Sequence, residues 1–197
     1  NEKLKAVRLV MKEKNVESYL LTSLDDIAWL FNIRGNDVLF NPVALSYSII
    51  TDTEAKLFID KSKVNKEVED ELKLQGIEVF EYLEIEEEIK KLNGKVLIDP
   101  AKVNAKLYSL LKCEIKEEVN LTTNLKAIKN NVEIESLKNC HIKDGVAMVK
   151  FIKYLRDNIG KEKITELSAS KVLTELRSKE ELAMGDSFGT IAGYKEH

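Results

Sequence analysis

Between Ser23 and Thr51 the chain runs SLDDIAWLFNIRGNDVLFNPVALSYSIIT, and no other stretch narrows the choice of fold as much. Ser23 is placed to accept a hydrogen bond from the free amides of a following helical turn, and Asp25 and Asp26 sit where the positive helix end favours carboxylates. Ile27, Ala28, Trp29, Leu30 and Phe31 are apolar nearly all round, so this short turn must be buried, with Trp29 as its expected anchor. A polar loop follows, carrying Arg34, Gly35, Asn36, Asp37 and Asn41. Pro42 biases Asn41 away from helix, and Val43 to Ile50 reads as a largely buried strand. A loop this polar between two buried elements either solvates a surface turn or lines a cleft.

The neighbouring segments alternate. Leu4, Val7, Val10 and Met11 give an amphipathic first helix ending near Asn15, and Ser18 to Leu21 reads as a short strand. Ala55 to Ile59 is expected to pair with Val43 to Ile50 as a β-hairpin across the turn Thr51-Asp52-Thr53-Glu54. Val64, Val68 and Leu72 mark a helix that Gly76 is placed to cap. Ile77 to Tyr82 is a strand, and Ile85, Ile89 and Leu92 mark a helix. Lys95 to Asp99 is a strand closed by Pro100. Asn104 to Leu111 is a short helix, and Cys113 to Val119 a last strand. The fold class this order predicts is α/β: a mixed β-sheet with one hairpin, flanked by helices on both faces.

A boundary is expected in the polar run Asn120 to Asn131, giving a first domain over residues 1–125 and a second over 126–197. Beyond it Ile134, Leu137, His141, Gly145, Met148, Ile152 and Leu155 step along one face, predicting a helix of six or seven turns that ends before Gly160. Thr165 caps the next helix, with Leu167, Val172, Leu173 and Leu176 inward, and Ser187 to Ala192 reads as an apolar strand. Two helices and a strand cannot bury a core alone, so this part reads as the helical start of a second domain. Its open apolar stripe predicts self-association with a second copy, or disorder.

Composition removes several function classes. A net charge of −3 and a pI near 5.7 argue against a nucleic-acid surface. The longest apolar runs, such as IAWLF, are too short to cross a bilayer. Cys113 and Cys140 share no metal-ligand spacing and read as reduced, semi-buried residues of a cytoplasmic protein. There is no GxGxxG after a strand, no GxxxxGK[ST], no GxSxG and no HExxH. His141 reads as a hydrogen-bonded core or interface residue rather than a ligand, and His197 carries no argument. The acidic run Glu84 to Glu88 reads as a solvated helix face.

The run Asp25 to Gly35 (DDIAWLFNIRG), followed by Asn41-Pro42-Val43, resembles the middle domain of the three-domain Xaa-Pro aminopeptidases, or aminopeptidase P. The resemblance resumes at Val132 to Asp144 (VEIESLKNCHIKD) and at Asp186 to Ile191 (DSFGTI). The tail AGYKEH is only loosely similar. The resemblance implies a creatinase/prolidase N-terminal-like, non-catalytic domain, then the opening helices of a "pita-bread" catalytic domain. It implies hydrolysis of the bond between an N-terminal residue and a following proline in peptide substrates. Two divalent metal ions, manganese expected, are held in that family by two Asp, one His and two Glu. Those ligands and the catalytic histidines follow the segment resembling Asp186 to Ile191, so they are expected beyond His197. No catalytic or metal residue is therefore assigned in this chain, both its ends read as cut, and the piece by itself is expected to be inactive. Arg34, Asn36 and Asn41 are the candidates for lining the substrate cleft. A second class stays open: a non-catalytic peptide- or protein-binding module of the same fold. A free-standing Rossmann-like regulatory domain is a third, blander one.

Overall fold

The computed structural model describes residues 1–196. The chain divides into two compact units, Asn1–Ile128 and Lys129–His197, with His197 itself outside the described residues.

The first unit is built on a six-stranded mixed sheet: β1 (Ser18–Leu21), β2 (Ser46–Thr51), β3 (Ala55–Ile59), β4 (Glu78–Glu81), β5 (Lys95–Ile98) and β6 (Glu114–Glu117), in the order β4-β3-β2-β1-β5-β6. β2 is antiparallel to both β1 and β3, with Tyr19 opposite Ile50 and Ser48 opposite Leu57. The β1–β5, β3–β4 and β5–β6 pairs are parallel. β2 therefore runs against the other five, whose carboxyl ends share one edge with the amino end of β2. The expected hairpin forms, although β2 begins at Ser46 rather than Val43. Val43 and Ala44 are buried in the loop that leads into it.

Alternation along each strand assigns its residues to two cores. Tyr19, Leu21, Ile50, Leu57 and Leu97 point to one side and pack with α1 (Glu2–Glu13), α2 (Leu24–Phe31), α3 (Lys66–Leu74) and the start of α6 (Leu121–Ala127). Leu20, Ile49, Phe58, Val96 and Ile98 point to the other and pack with α4 (Ile85–Ile89) and α5 (Ala105–Leu110). Each apolar side chain taken wholly out of water contributes about 1.5–3 kcal/mol. α3 ends as its sequence requires. Gly76 takes φ +76°, the Gly76 amide donates to Lys73 O, and the Ile77 amide reaches Leu72 O at 2.9 Å. This is a Schellman closure with Ile77 and Leu72 buried together.

The run read as a boundary, Asn120 to Asn131, contains α6, and Leu121 and Thr122 at its start are buried in the first unit. Trp29 is half-buried rather than fully enclosed. Its indole packs against the core, while Lys3 Nζ lies 4.6 Å from the ring centroid and donates to Trp29 O.

The second unit contains α7 (Asn131–Asn158, 28 residues) and α8 (Glu166–Arg177). Asn130 with Glu133 and Thr165 with Ser168 form reciprocal caps at their starts. Among the described residues of this unit Ala147 alone is fully buried. Met148, Phe151, Leu155, Val172, Leu173 and Leu176 are half-buried. The stripe expected to face inward is only partly used, because Ile134, Leu137 and Ile152 remain exposed. His141 is exposed too, its Nδ1 2.8 Å from Leu137 O, and so is not a core residue. Ser187 to Ala192 forms no strand. It is irregular and open, with Ile191 98% exposed, since among the described residues no neighbouring strand supplies the hydrogen bonds an extended segment needs.

Candidate functional site

Sequence reasoning singled out the segment between α2 and β2, which lies at the edge where five strands end. In open α/β sheets the crevice outside those ends is where ligands bind. The segment leaves α2 through Asn32, in the left-handed region at φ +55°. Ala28 O then receives the amide of Ile33 at 3.1 Å, and Arg34 Nη1 donates to Ala28 O at 3.1 Å and Ile33 O at 2.8 Å. Arg34 thus places its charge on the carbonyl end of α2, where a cation is favoured.

From Arg34 onward the loop folds back on itself as two arms. The Gly35 amide donates to Pro42 O at 3.3 Å and the Asp37 amide to Val43 O at 3.1 Å. Gly35 has to be glycine: a Cβ there would lie 2.8 Å from that of Ala44. The tip turns through Leu39 and Phe40 and closes with the Asn41 amide on Val38 O at 3.1 Å. Phe40 sits at φ +66°, a strained position for an aromatic residue, and Leu39 is 77% exposed. The Asp37 carboxylate accepts from the Leu45 amide and from Lys63 Nζ, both at 2.8 Å. The hydrogen bond from Lys63, helped by that from Leu45, holds its carboxyl below the usual aspartate range.

All three expected cleft residues, Arg34, Asn36 and Asn41, are exposed on this loop. Arg34 is partly committed to α2. Asn36 and Asn41 are displayed on the two arms.

A second constellation at the same edge was not read from sequence. Asn120, 3% exposed, donates through Nδ2 to Ser23 Oγ at 2.7 Å and to Asp26 Oδ2 at 3.2 Å. Its Oδ1 accepts from Tyr19 Oη at 3.0 Å, and its amide donates to Asp99 Oδ2 at 3.1 Å. Ser23 occupies the cap position of α2 but makes no side-chain cap bond; its hydroxyl serves Asn120 instead. Lys126 of α6 forms ion pairs with Asp25 and, at 2.8 Å, with Asp26. Burial drives the Tyr19 phenol well above its ordinary range. Every group here has a partner, so the cluster anchors α6 rather than offering a reactive side chain.

Among the described residues no three His, Cys, Asp or Glu side chains converge so as to hold a metal ion. The described side chains therefore do not fit a dinuclear metal centre. Cys113 is half-buried and Cys140 exposed, and neither is in a disulfide. No helix among the described residues is long and apolar enough to cross a membrane.

The sheet order, the two-sided helical cover and the run from Asp25 to Gly35 converge on one class of domain. The creatinase/prolidase N-terminal domain family matches residues 1–133, and the chain belongs to that family. It is 37% identical over 134 residues to Xaa-Pro aminopeptidase 1 of Dictyostelium discoideum, covering 66% of this chain and 21% of that protein. A Drosophila melanogaster Xaa-Pro aminopeptidase is 36% identical over 198 residues, covering 97% of this chain and 32% of the relative. Among solved structures, the X-prolyl aminopeptidase of Caenorhabditis elegans, described as a cytosolic enzyme with a di-nuclear active site, superposes with a TM-score of 0.90 at 27% identity. That match covers 98% of this chain and 33% of the other. The chain thus spans about a third, or less, of the length of these relatives.

Proposed function

We propose that this chain is the non-catalytic middle domain, residues 1–125, and the opening part of the pita-bread catalytic domain, residues 126–197, of an Xaa-Pro aminopeptidase. The observation that carries this reading is the alignment to the Drosophila enzyme along nearly the whole chain, at 36% identity across both units. The enzyme so proposed removes the N-terminal residue that precedes proline in a peptide. It does so in the cytoplasm, with two divalent metal ions, manganese by preference, held by residues outside this chain. A two-metal site activates one water and polarises the scissile carbonyl when loaded. The loop Asn32 to Asn41 serves as a wall of the peptide cleft. In its support stand its position at the carboxyl edge of the sheet, its closed hydrogen-bonded form and the exposure of Arg34, Asn36 and Asn41.

The test is peptide hydrolysis by this chain alone and by a full-length protein that carries it. The reading predicts manganese-dependent release of the first residue from an Xaa-Pro peptide by the full-length protein only, with an Xaa-Ala peptide left intact. Release by this chain alone would overturn the assignment of the metal ligands to residues outside it. Binding without hydrolysis by the full-length protein would turn the reading into that of a peptide-binding module.

A further inference from the structure

Asp37 joins both arms of the loop to a third segment. Its amide donates to Val43 O, its Oδ2 accepts from the Leu45 amide, and its Oδ1 accepts from Lys63 Nζ in the turn Lys61–Lys63 that follows β3. The carboxylate is 13% exposed, although the loop around it is open. Asn36 precedes it directly, while Arg34 and Asn41 flank it on the two arms. Phe40 keeps a left-handed backbone at the tip while still 40% exposed, so burial within this chain does little to offset its strain. A loop held in one strained shape by an ionised carboxylate is preorganised.

We propose that Asp37 is a positioning residue for peptide substrate: it touches no substrate, but fixes Asn36 and Asn41 where they wall the cleft. This rests on the cleft reading of the loop given above. Charge-assisted hydrogen bonds of this kind are the stronger ones in a protein, and two of them converge on this one carboxylate. Without them the arms keep only backbone bonds, and the outward residues sample several positions. Substrate is then met by an unformed wall. Its binding weakens while the chemical step, carried elsewhere, is spared.

The experiment has two arms, each run with Asp37→Ala and Asp37→Asn. In this chain, hydrogen exchange of the Leu45 amide reports the loop. Asp37→Ala is expected to speed it about tenfold or more, whereas Asp37→Asn, which retains an acceptor for Leu45 but loses the Lys63 ion pair, is expected to fall between. In the full-length enzyme, Asp37→Ala is expected to raise KM for an Xaa-Pro peptide by about tenfold with kcat within about twofold, and Asp37→Asn to restore much of the loss. Unchanged exchange at Leu45 overturns the positioning role of Asp37. Faster exchange with KM unchanged leaves Asp37 a merely structural clasp and removes the cleft reading of the loop. A fall in kcat at constant KM contradicts the proposal as well.

Discussion

Residues 1–128 and 129–196 both begin with a capped amphipathic helix, yet they bury very different things. In the first unit Tyr19, Phe31, Phe58 and most strand residues are closed off on one face of the sheet or the other. In the second, among the described residues, Ala147 alone is closed off, and Ile142, Val146 and Val149 lie open along α7. A sheet residue is covered by its neighbours and by a helix layer. A helix paired with one other helix covers a single narrow seam. Apolar content by itself does not make a core; the number of faces that receive a cover does.

Hydrogen exchange should break this comparison most sharply if it is wrong. Amides of Leu20, Leu57 and Leu97 are expected to exchange only through global unfolding, about a thousandfold or more slower than those at the ends of α7. Equal protection in a monomer would contradict the contrast. Truncation of one side chain in each unit tests the same point energetically. Phe31→Ala is expected to cost about 3–5 kcal/mol, and the half-buried Leu173→Ala about 1–2 kcal/mol, read from urea midpoints of each unit's transition. Equal costs would mean that the second unit is packed as tightly as the first.

Asn120→Leu sharpens the comparison within the first unit. It strips Ser23, Asp26 and Tyr19 of a common partner and is expected to cost roughly 2–3 kcal/mol; a neutral result would show that the polar cluster does not hold α6. Trp29→Ala should cost only about 2 kcal/mol, less than Phe31→Ala, because its ring is half open.

The smallest effect concerns pH. Burial pushes the Asp25 carboxyl up, but the hydrogen bond and charge of Lys126 outweigh it and leave it lowered. The stabilisation is therefore present above the unfolded value, near pH 3.9, and fades as pH falls through the lower folded value. Asp25→Asn, which leaves the Lys126–Asp26 pair in place, is expected to destabilise by under about 1 kcal/mol at pH 7, with the difference from the parent closing under strongly acid conditions. A difference that instead grows on acidification would reverse the assigned sign.

The strands were legible because their information is local. Leu57 and Phe58 alternate between two cores, and Gly76 marks the end of α3 in a way any chain would need. What escaped depends on partners far along the chain. Asn120 looked like part of a polar boundary because Ser23 and Asp26, its acceptors, lie in a distant segment. Ser23 was expected to cap α2, a local role that a stronger long-range bond displaced. Ser187 to Ala192 had the composition of a strand but no partner among the described residues. The loop's polarity and position were readable, and so were Arg34, Asn36 and Asn41 as candidates. The clasp through Asp37 was not, because Lys63 comes from beyond the hairpin.

The central claim is that the first unit supplies a preformed wall for chemistry carried out by residues elsewhere. The most direct test is the kinetics of Arg34→Ala in a full-length protein with an Xaa-Pro peptide. Arg34 is exposed and its bonds run through Nη1 alone to two carbonyls, so its loss should leave the fold standing. The account predicts a KM higher by about tenfold with kcat little changed. Turnover and KM both equal to the parent's, with only a small shift in stability, would mean the loop is purely structural and would contradict the claim.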